Sequence, residues 1–162
     1  MKTELTPYTL GTGDREALWF FGTLVSSKAA EQTGGQSVLI EQFAPRGMAT
    51  PLHIQPDDES FYVPEGELTF YFEDGQPVPA LAGSFVHVPG GTLHAFQVDS
   101  ETARLLNFTI PQHARFMRAA GEPAQGRILP PEGPPDMEKV QAAAREYRVK
   151  ILGPPPGKEP HS

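Results

Sequence analysis

The amino-acid sequence predicts an all-β domain with short helices after it. Three observations carry that prediction. Glycine (16) and proline (18) make up about a fifth of the 162 residues, against an average near ~12%, and each one inside a helix is costly. Apolar runs are separated by turn residues at intervals of about 8–12, the spacing of a sandwich or barrel. Leu68, Phe70 and Phe72 alternate with Thr69 and Tyr71, so one face of that segment is apolar, as in a half-buried strand.

Taken in order, residues 1–16 have little pattern and read as an N-terminal arm. Residues 17–25, with Trp19-Phe20-Phe21, read as a first strand. Gly34-Gly35 is a turn, Ser37 to Ala44 a strand, and Pro45 to Gly47 a turn. Residues 52–63 hold two strand-like pieces broken at Pro56-Asp57-Asp58. Pro64-Glu65-Gly66 turns into the Leu68–Phe72 strand, and Asp74-Gly75 turns out of it. Ser84 to Val88, Ala95 to Val98 and Arg104 to Ile110 are three more strands. Beyond them, Gln112 to Ala120 fits a helix with Pro111 at its start and Gly121 at its end. Residues 121–135 form a Pro/Gly linker. Asp136 to Arg148 is the strongest helix. Val140, Ala144, Tyr147 and Ile151 fall near one face, and Arg145, Arg148 and Lys150 sit where the helix dipole favours cations. The tail from Gly153 is proline-rich. The expected organisation is an arm (1–16), a β-barrel (17–111), and a helical segment with a Pro-rich tail packed on that barrel (112–162).

Composition excludes several classes. A net charge of −7 is the wrong sign for a nucleic-acid binder, whose affinity rests on basic patches. There is no cysteine, hence no disulfide, thiolate nucleophile or cysteine-bound zinc. Any metal must be held by imidazole, carboxylate or amide. The first residues lack an apolar signal core, and the apolar stretch from Ala17 to Val25 falls well short of the ~20 residues of a membrane helix. No membrane partner and a cytoplasmic location are expected. Asn107-Phe108-Thr109 matches a glycosylation sequon and is read as coincidence in an apolar run without an export signal.

The chemistry is written around two of the five histidines. His53 and Gln55, at i and i+2, share a strand face, and Glu59 follows across the Pro56–Asp58 break. His94 opens another strand after Pro89-Gly90-Gly91. If those strands are neighbours, two imidazoles and one carboxylate converge, which is the facial arrangement of non-haem metal oxygenases. Each histidine taken singly reads more simply as a satisfied or exposed polar residue. The glycines and the proline change that balance. The first stretch reads Gly47-Met-Ala-Thr-Pro-Leu-His53-Ile-Gln55-Pro-Asp-Asp-Glu59, then Gly66. The second reads Gly83-Ser-Phe-Val-His-Val-Pro89-Gly-Gly91-Thr-Leu-His94.

These two stretches resemble the paired motifs of the cupins. Leu18 to Leu24, Thr33-Gly34-Gly35, Glu59 to Glu67 and the ending Tyr147 to Pro155 look like small single-domain bacterial cupins of the quercetin 2,3-dioxygenase type. The resemblance implies a cupin jelly-roll barrel binding one divalent transition metal ion per chain (Ni, Mn, Fe, Co, Cu or Zn). Its implied ligands are His53, Glu59 and His94, with Gln55 as a fourth ligand or a hydrogen-bonding neighbour of the ion. It implies Glu59 as both ligand and catalytic base. Two departures stand out. Gln55 replaces the second histidine of the first motif, and Val98 replaces the final asparagine of the second. A metal-free site is the alternative that Gln55 leaves open.

Phe61, Phe70, Phe72 and Phe96 share the core parity and are expected to pack first and to wall a substrate pocket second. His87 faces either the pocket or solvent. His113 and Phe116 read first as the packing face of a helix outside the barrel, and second as a cover over its mouth. Three functions fit these residues: a metal-dependent dioxygenase acting with O2 on a flavonol-like enolic or aromatic small molecule; a non-redox isomerase, epimerase or lyase; and a non-catalytic small-molecule binder. Strand exchange or edge pairing into a homodimer is expected from the resemblance and from the open edges of a small sandwich.

Overall fold

Alternation decides which side chains go inward. In the strand Val38–Pro45, Val38, Ile40, Gln42 and Ala44 are buried while their neighbours are only half-buried. The same rule places Glu59, Phe61 and Val63 inward on Glu59–Glu65, and His94, Phe96 and Val98 inward on His94–Val98. These assignments come from a computed structural model describing residues 5–73 and 75–156. The first four residues of the arm, Asp74 of the expected Asp74-Gly75 turn, and the tail beyond residue 156 lie outside the described residues.

The strands are β1 (Ala17–Phe20), β2 (Thr23–Ala29), β3 (Val38–Pro45), β4 (Leu52–Ile54), β5 (Glu59–Glu65), β6 (Glu67–Phe72), β7 (Pro77–Leu81), β8 (Phe85–Val88), β9 (His94–Val98), β10 (Thr102–Thr109), β11 (Glu122–Pro123) and β12 (Lys150–Gly153). The helices are α1 (Pro111–Ala120) and α2 (Met137–Glu146). They form two antiparallel sheets, β11-β1-β2-β3-β10-β5-β8 and β12-β4-β9-β6-β7, stacked as the all-β jelly roll that the sequence predicts.

The core has two parts. Between the sheets, Phe61, Val63, Leu68, Phe70, Phe96, Val98 and Leu105 form an apolar interior. On the other side, α1 and α2 lay Phe116, Met117, Val140, Ala143 and Ala144 against Val25, Val38 and Ile40. Helix α2 starts at Asp136, whose side chain accepts from the Lys139 N–H at 3.1 Å, a standard N-cap.

The structure corrects the element reading in four places. Residues 17–25 are a hairpin and not one strand. Phe21 (φ 48°) and Gly22 (φ 78°) both take the left-handed conformation, the two-residue turn that suits strand twist. Pro77–Leu81 is a strand despite its two prolines, because β7 is a sheet edge, where a missing N–H costs no ladder bond. Ile151 belongs to β12 and not to a helix face, since Arg148 turns left-handed (φ 58°) after α2 ends. Two residues of the 121–135 linker, Glu122 and Pro123, pair with β1 as β11. No helix among the described residues is long and apolar enough to cross a membrane.

Candidate metal centre

Two loops bring the motif residues together. The Gly90 N–H donates to Asp58 Oδ1 at 2.7 Å, and the Gly91 N–H donates to the Gln55 carbonyl at 2.8 Å. A Cβ on Gly90 would stand 2.1 Å from the Pro56 carbonyl oxygen, so only glycine permits this approach. Thr109 ties the same turn from the other side, its hydroxyl donating to the Asp58 carbonyl at 3.0 Å. Stapled in this way, β4 and β9 pair with His53 opposite His94. The two imidazole rings are 4.3 Å apart. Ligand atoms of His53, Glu59 and His94 all lie within 4.8 Å of one another.

The hydrogen bonds behind the rings decide what they present. His53 Nδ1 lies 2.9 Å from the Pro51 carbonyl, and His94 Nδ1 lies 2.9 Å from the Thr92 carbonyl. A carbonyl can only accept, so each Nδ1 carries a proton, and a neutral ring in this setting presents its lone pair on Nε2. His94 Nε2 stands 3.2 Å from Glu59 Oε2; a proton on that nitrogen bridges the pair, and a bound cation would take its place. Two neutral imidazole nitrogens and a carboxylate, with backbone carbonyls fixing both tautomers, fit a divalent transition ion.

Glu59 is nearly fully buried, at 3% exposure. Burial opposes its ionisation, but the charge and hydrogen bond of His113, followed by the bond from His94, hold its carboxyl well below the usual range. Asn107 Nδ2 also donates to Oε1, at 2.7 Å. Burial, reinforced by His94, pushes His53 down to about 4. For His113, burial works against protonation, and the Glu59 carboxylate outweighs it and raises the imidazole above its ordinary value.

A cavity opens at this cluster. Phe20, Phe21, Phe61, Phe96, Phe116 and Met117 contribute to its wall, with His53, Glu59, His94, Asn107 and His113 among the polar groups that reach it. Its volume is about 40 Å³, small beside the ~300–1,000 Å³ of pockets that enclose drug-sized ligands.

The remaining expected residues fall in several places. Phe61 and Phe96 line the cavity. Phe70 is sealed in the core between the sheets and Phe72 packs beside that core; neither is part of the cavity wall. Gln55 is 2% exposed but is not a lining residue. Its Nε2 is 3.4 Å from the Asp57 carbonyl and its Oε1 is buried without a hydrogen-bond partner. His87 is exposed on the outer face, with its Nδ1 2.9 Å from the Ser60 hydroxyl.

Two residues that sequence reasoning did not place in the cluster are part of it. Asn107 shares the inward parity of Ala103 and Leu105 on β10, so a polar residue at an inward position was its signal. His113 sits on helix α1 with its Nε2 3.0 Å from Glu59 Oε1. It begins the buried face His113, Phe116, Met117, Ala120, at i, i+3, i+4 and i+7. The same face of α1 packs against Val25, Val38 and Ile40 and contributes His113, Phe116 and Met117 to the cavity wall.

Fold and site together define a small jelly roll with a His-Glu-His cluster inside one end. Residues 39–109 match the cupin domain, so the chain contains a cupin domain. It is 32% identical over 129 residues, 78% of its length, to quercetin 2,3-dioxygenase of Bacillus subtilis (strain 168), and it spans 38% of that protein. The fold is similar to a polyketide cyclase from Streptomyces resistomycificus, with a TM-score of 0.58 at 20% identity, covering 65% of this chain and 80% of that one.

Proposed function

We propose that the chain is a metal-dependent dioxygenase of the quercetinase type, acting on a compact enolic or enolisable aromatic molecule. The observation that carries this reading is the convergence of His53, Glu59 and His94 at a phenylalanine-lined cavity, in a chain with 32% identity to a quercetin 2,3-dioxygenase. His53, Glu59 and His94 would hold a divalent ion, which when bound supplies Lewis-acid polarisation of the enol oxygen and access to O2 chemistry.

The protein's own groups define the rest. Glu59 takes the enol proton at Oε2, because Oε1 already accepts from Asn107 and lies against His113. A carboxylate held below its usual range is a weaker base, and an enolic hydroxyl gives up its proton more readily than an aliphatic alcohol. Phe61 and Phe96 lie against a flat substrate, while Phe20, Phe21 and Phe116 keep water from the reacting centre. The cavity volume of about 40 Å³ favours small enols, and a flavonol requires side chains such as Phe116 to give way.

The test is oxygen uptake by metal-reconstituted protein with a panel running from small cyclic enols to flavonols. We expect O2 consumption to match loss of the enol and to stop with a chelator. Conversion of an enol without O2 consumption would transfer the reading to a non-redox isomerase, epimerase or lyase. No uptake with any of Ni, Mn, Fe, Co, Cu or Zn would overturn the dioxygenase.

A further inference from the structure

We infer that His113, delivered by α1 from outside the cupin motifs, is a positioning residue for Glu59. With Asn107 it clamps one carboxylate oxygen, so that the other alone faces the two motif histidines. The inference rests on the metal-site reading above and goes beyond it by assigning a role to a helix outside the matched cupin domain.

The geometry divides the two oxygens of Glu59. Oε1 accepts from Asn107 Nδ2 at 2.7 Å and lies 3.0 Å from His113 Nε2. Oε2 lies 3.2 Å from His94 Nε2. Two donors converge on the first oxygen, and none but the motif histidine is near the second. A carboxylate bound in this way cannot swing to offer both oxygens to one ion. All three partners are buried: Glu59 at 3%, His113 at 5% and Asn107 at 0% exposure. In so dry a setting these bonds are electrostatically strong and hold a single geometry.

Packing alone does not explain His113. Its Nδ1 is buried without a partner, a cost that an apolar side chain would avoid. The surrounding face of α1, with Phe116 and Met117, is apolar, and the His113 ring rests 5.9 Å from that of Phe116. The sequence also leaves a role open. Gln55 stands where the family motif has its second histidine, and its amide is not among the side chains that line the cavity. His113 is the imidazole that reaches Glu59 instead, from 54 residues along the chain.

The experiment is Co(II) titration of metal-stripped full-length protein, read by calorimetry and by the visible d–d absorption of the ion. The variants are His113→Phe, which fills the space without a donor, and His113→Gln, which restores one. We expect His113→Phe to weaken Co(II) binding by about 10–100-fold, the usual scale for a lost ligand-supporting group. We expect His113→Gln to recover most of that loss, with the wild-type absorption bands in both. Equal affinity of wild type and His113→Phe would overturn the clamp. So would an absorption change in His113→Gln that signals a lost nitrogen ligand, since His113 would then bind the ion directly. If His113→Phe fails to fold, His113→Gln decides: near-wild-type affinity with unchanged bands supports the clamp, and a loss beyond tenfold overturns it. Failure of wild type itself to bind Co(II) would instead remove the metal-site reading.

Discussion

The two ends of the barrel are built from the same strands and carry opposite chemistry. On β5 the inward positions run Glu59, Phe61, Val63, and on β9 they run His94, Phe96, Val98. Deeper between the sheets, Phe70 meets Phe61 and Phe96 with ring centroids 5.4 and 5.5 Å apart, among apolar side chains. At the mouth, Glu59 and His94 are as deeply buried as the phenylalanines. Burial is therefore not the difference. The mouth is tolerated because each oxygen of Glu59 has a nitrogen partner and each motif histidine has a backbone carbonyl behind it; buried ionisable groups without such partners are strongly destabilising. The same pleat thus yields an apolar core and a buried polar cluster within one sheet pair.

If the two ends are separable, changes at each should have separate consequences. The largest effect is expected at the apolar end. Phe70→Ala removes a fully buried ring and should cost about 3–5 kcal/mol of stability, measured by urea unfolding. Metal affinity of the protein that remains folded should be unchanged. Loss of metal binding by a still-folded Phe70→Ala would break the separation.

At the polar cluster, Glu59→Gln keeps the shape and removes the charge and, on the proposed mechanism, the base. Turnover should fall at least ~10²-fold, the scale of a lost general base, and metal affinity should fall with it, while the circular dichroism spectrum stays native. Unchanged turnover would make Glu59 a structural residue and the mouth merely a second core.

The smallest effect is a pH dependence of the metal-free protein's stability. His53 is pushed down to about 4, so between that value and the ordinary histidine value near ~6.5 the unfolded chain binds a proton that the folded one does not, and stability rises with pH. Glu59, held below its usual range, loses its contribution in the same acid direction. His113 is raised above its ordinary value, so above ~6.5 the folded chain keeps a proton that the unfolded one has lost, and stability falls as pH rises. The melting temperature should therefore peak near pH ~6.5. His113→Gln should remove the falling limb. A melting temperature that climbs steadily through pH 8 would show that the His113–Glu59 contact does not form without metal.

Much of this was legible in the sequence because it is local. The spacing of Gly47, His53, Glu59 and Gly66, and of Gly83, Pro89, Gly91 and His94, sets turns and strand faces within a few residues of each ligand. The motif resemblance pointed to Glu59 and His94 as ligands, and strand parity put Phe61 and Phe96, two residues further on, toward the core. The same parity could not separate wall from core, so Phe70 and Phe72 looked equivalent to Phe61 and Phe96. Which inward phenylalanine borders the cavity depends on its place across the sheet: β9 lies between β4 and β6, so Phe70 and Phe72 stand opposite Phe96 and His94 on the side away from His53.

What the sequence determined by itself was the all-β class and the turns around the candidate ligands, because period-two alternation and left-handed glycine positions act over short stretches of chain; the set His53, Glu59 and His94 came from the motif resemblance. Only the tertiary structure decided that β12 lies beside His53, that Gln55 is left out of the cavity wall, and that Asn107 and His113 close on Glu59. Those contacts join β10 and α1 to a strand some fifty residues away. They depend on how the helix face seats against the sheet, which is settled by the summed packing of many side chains, and no single segment of sequence contains it.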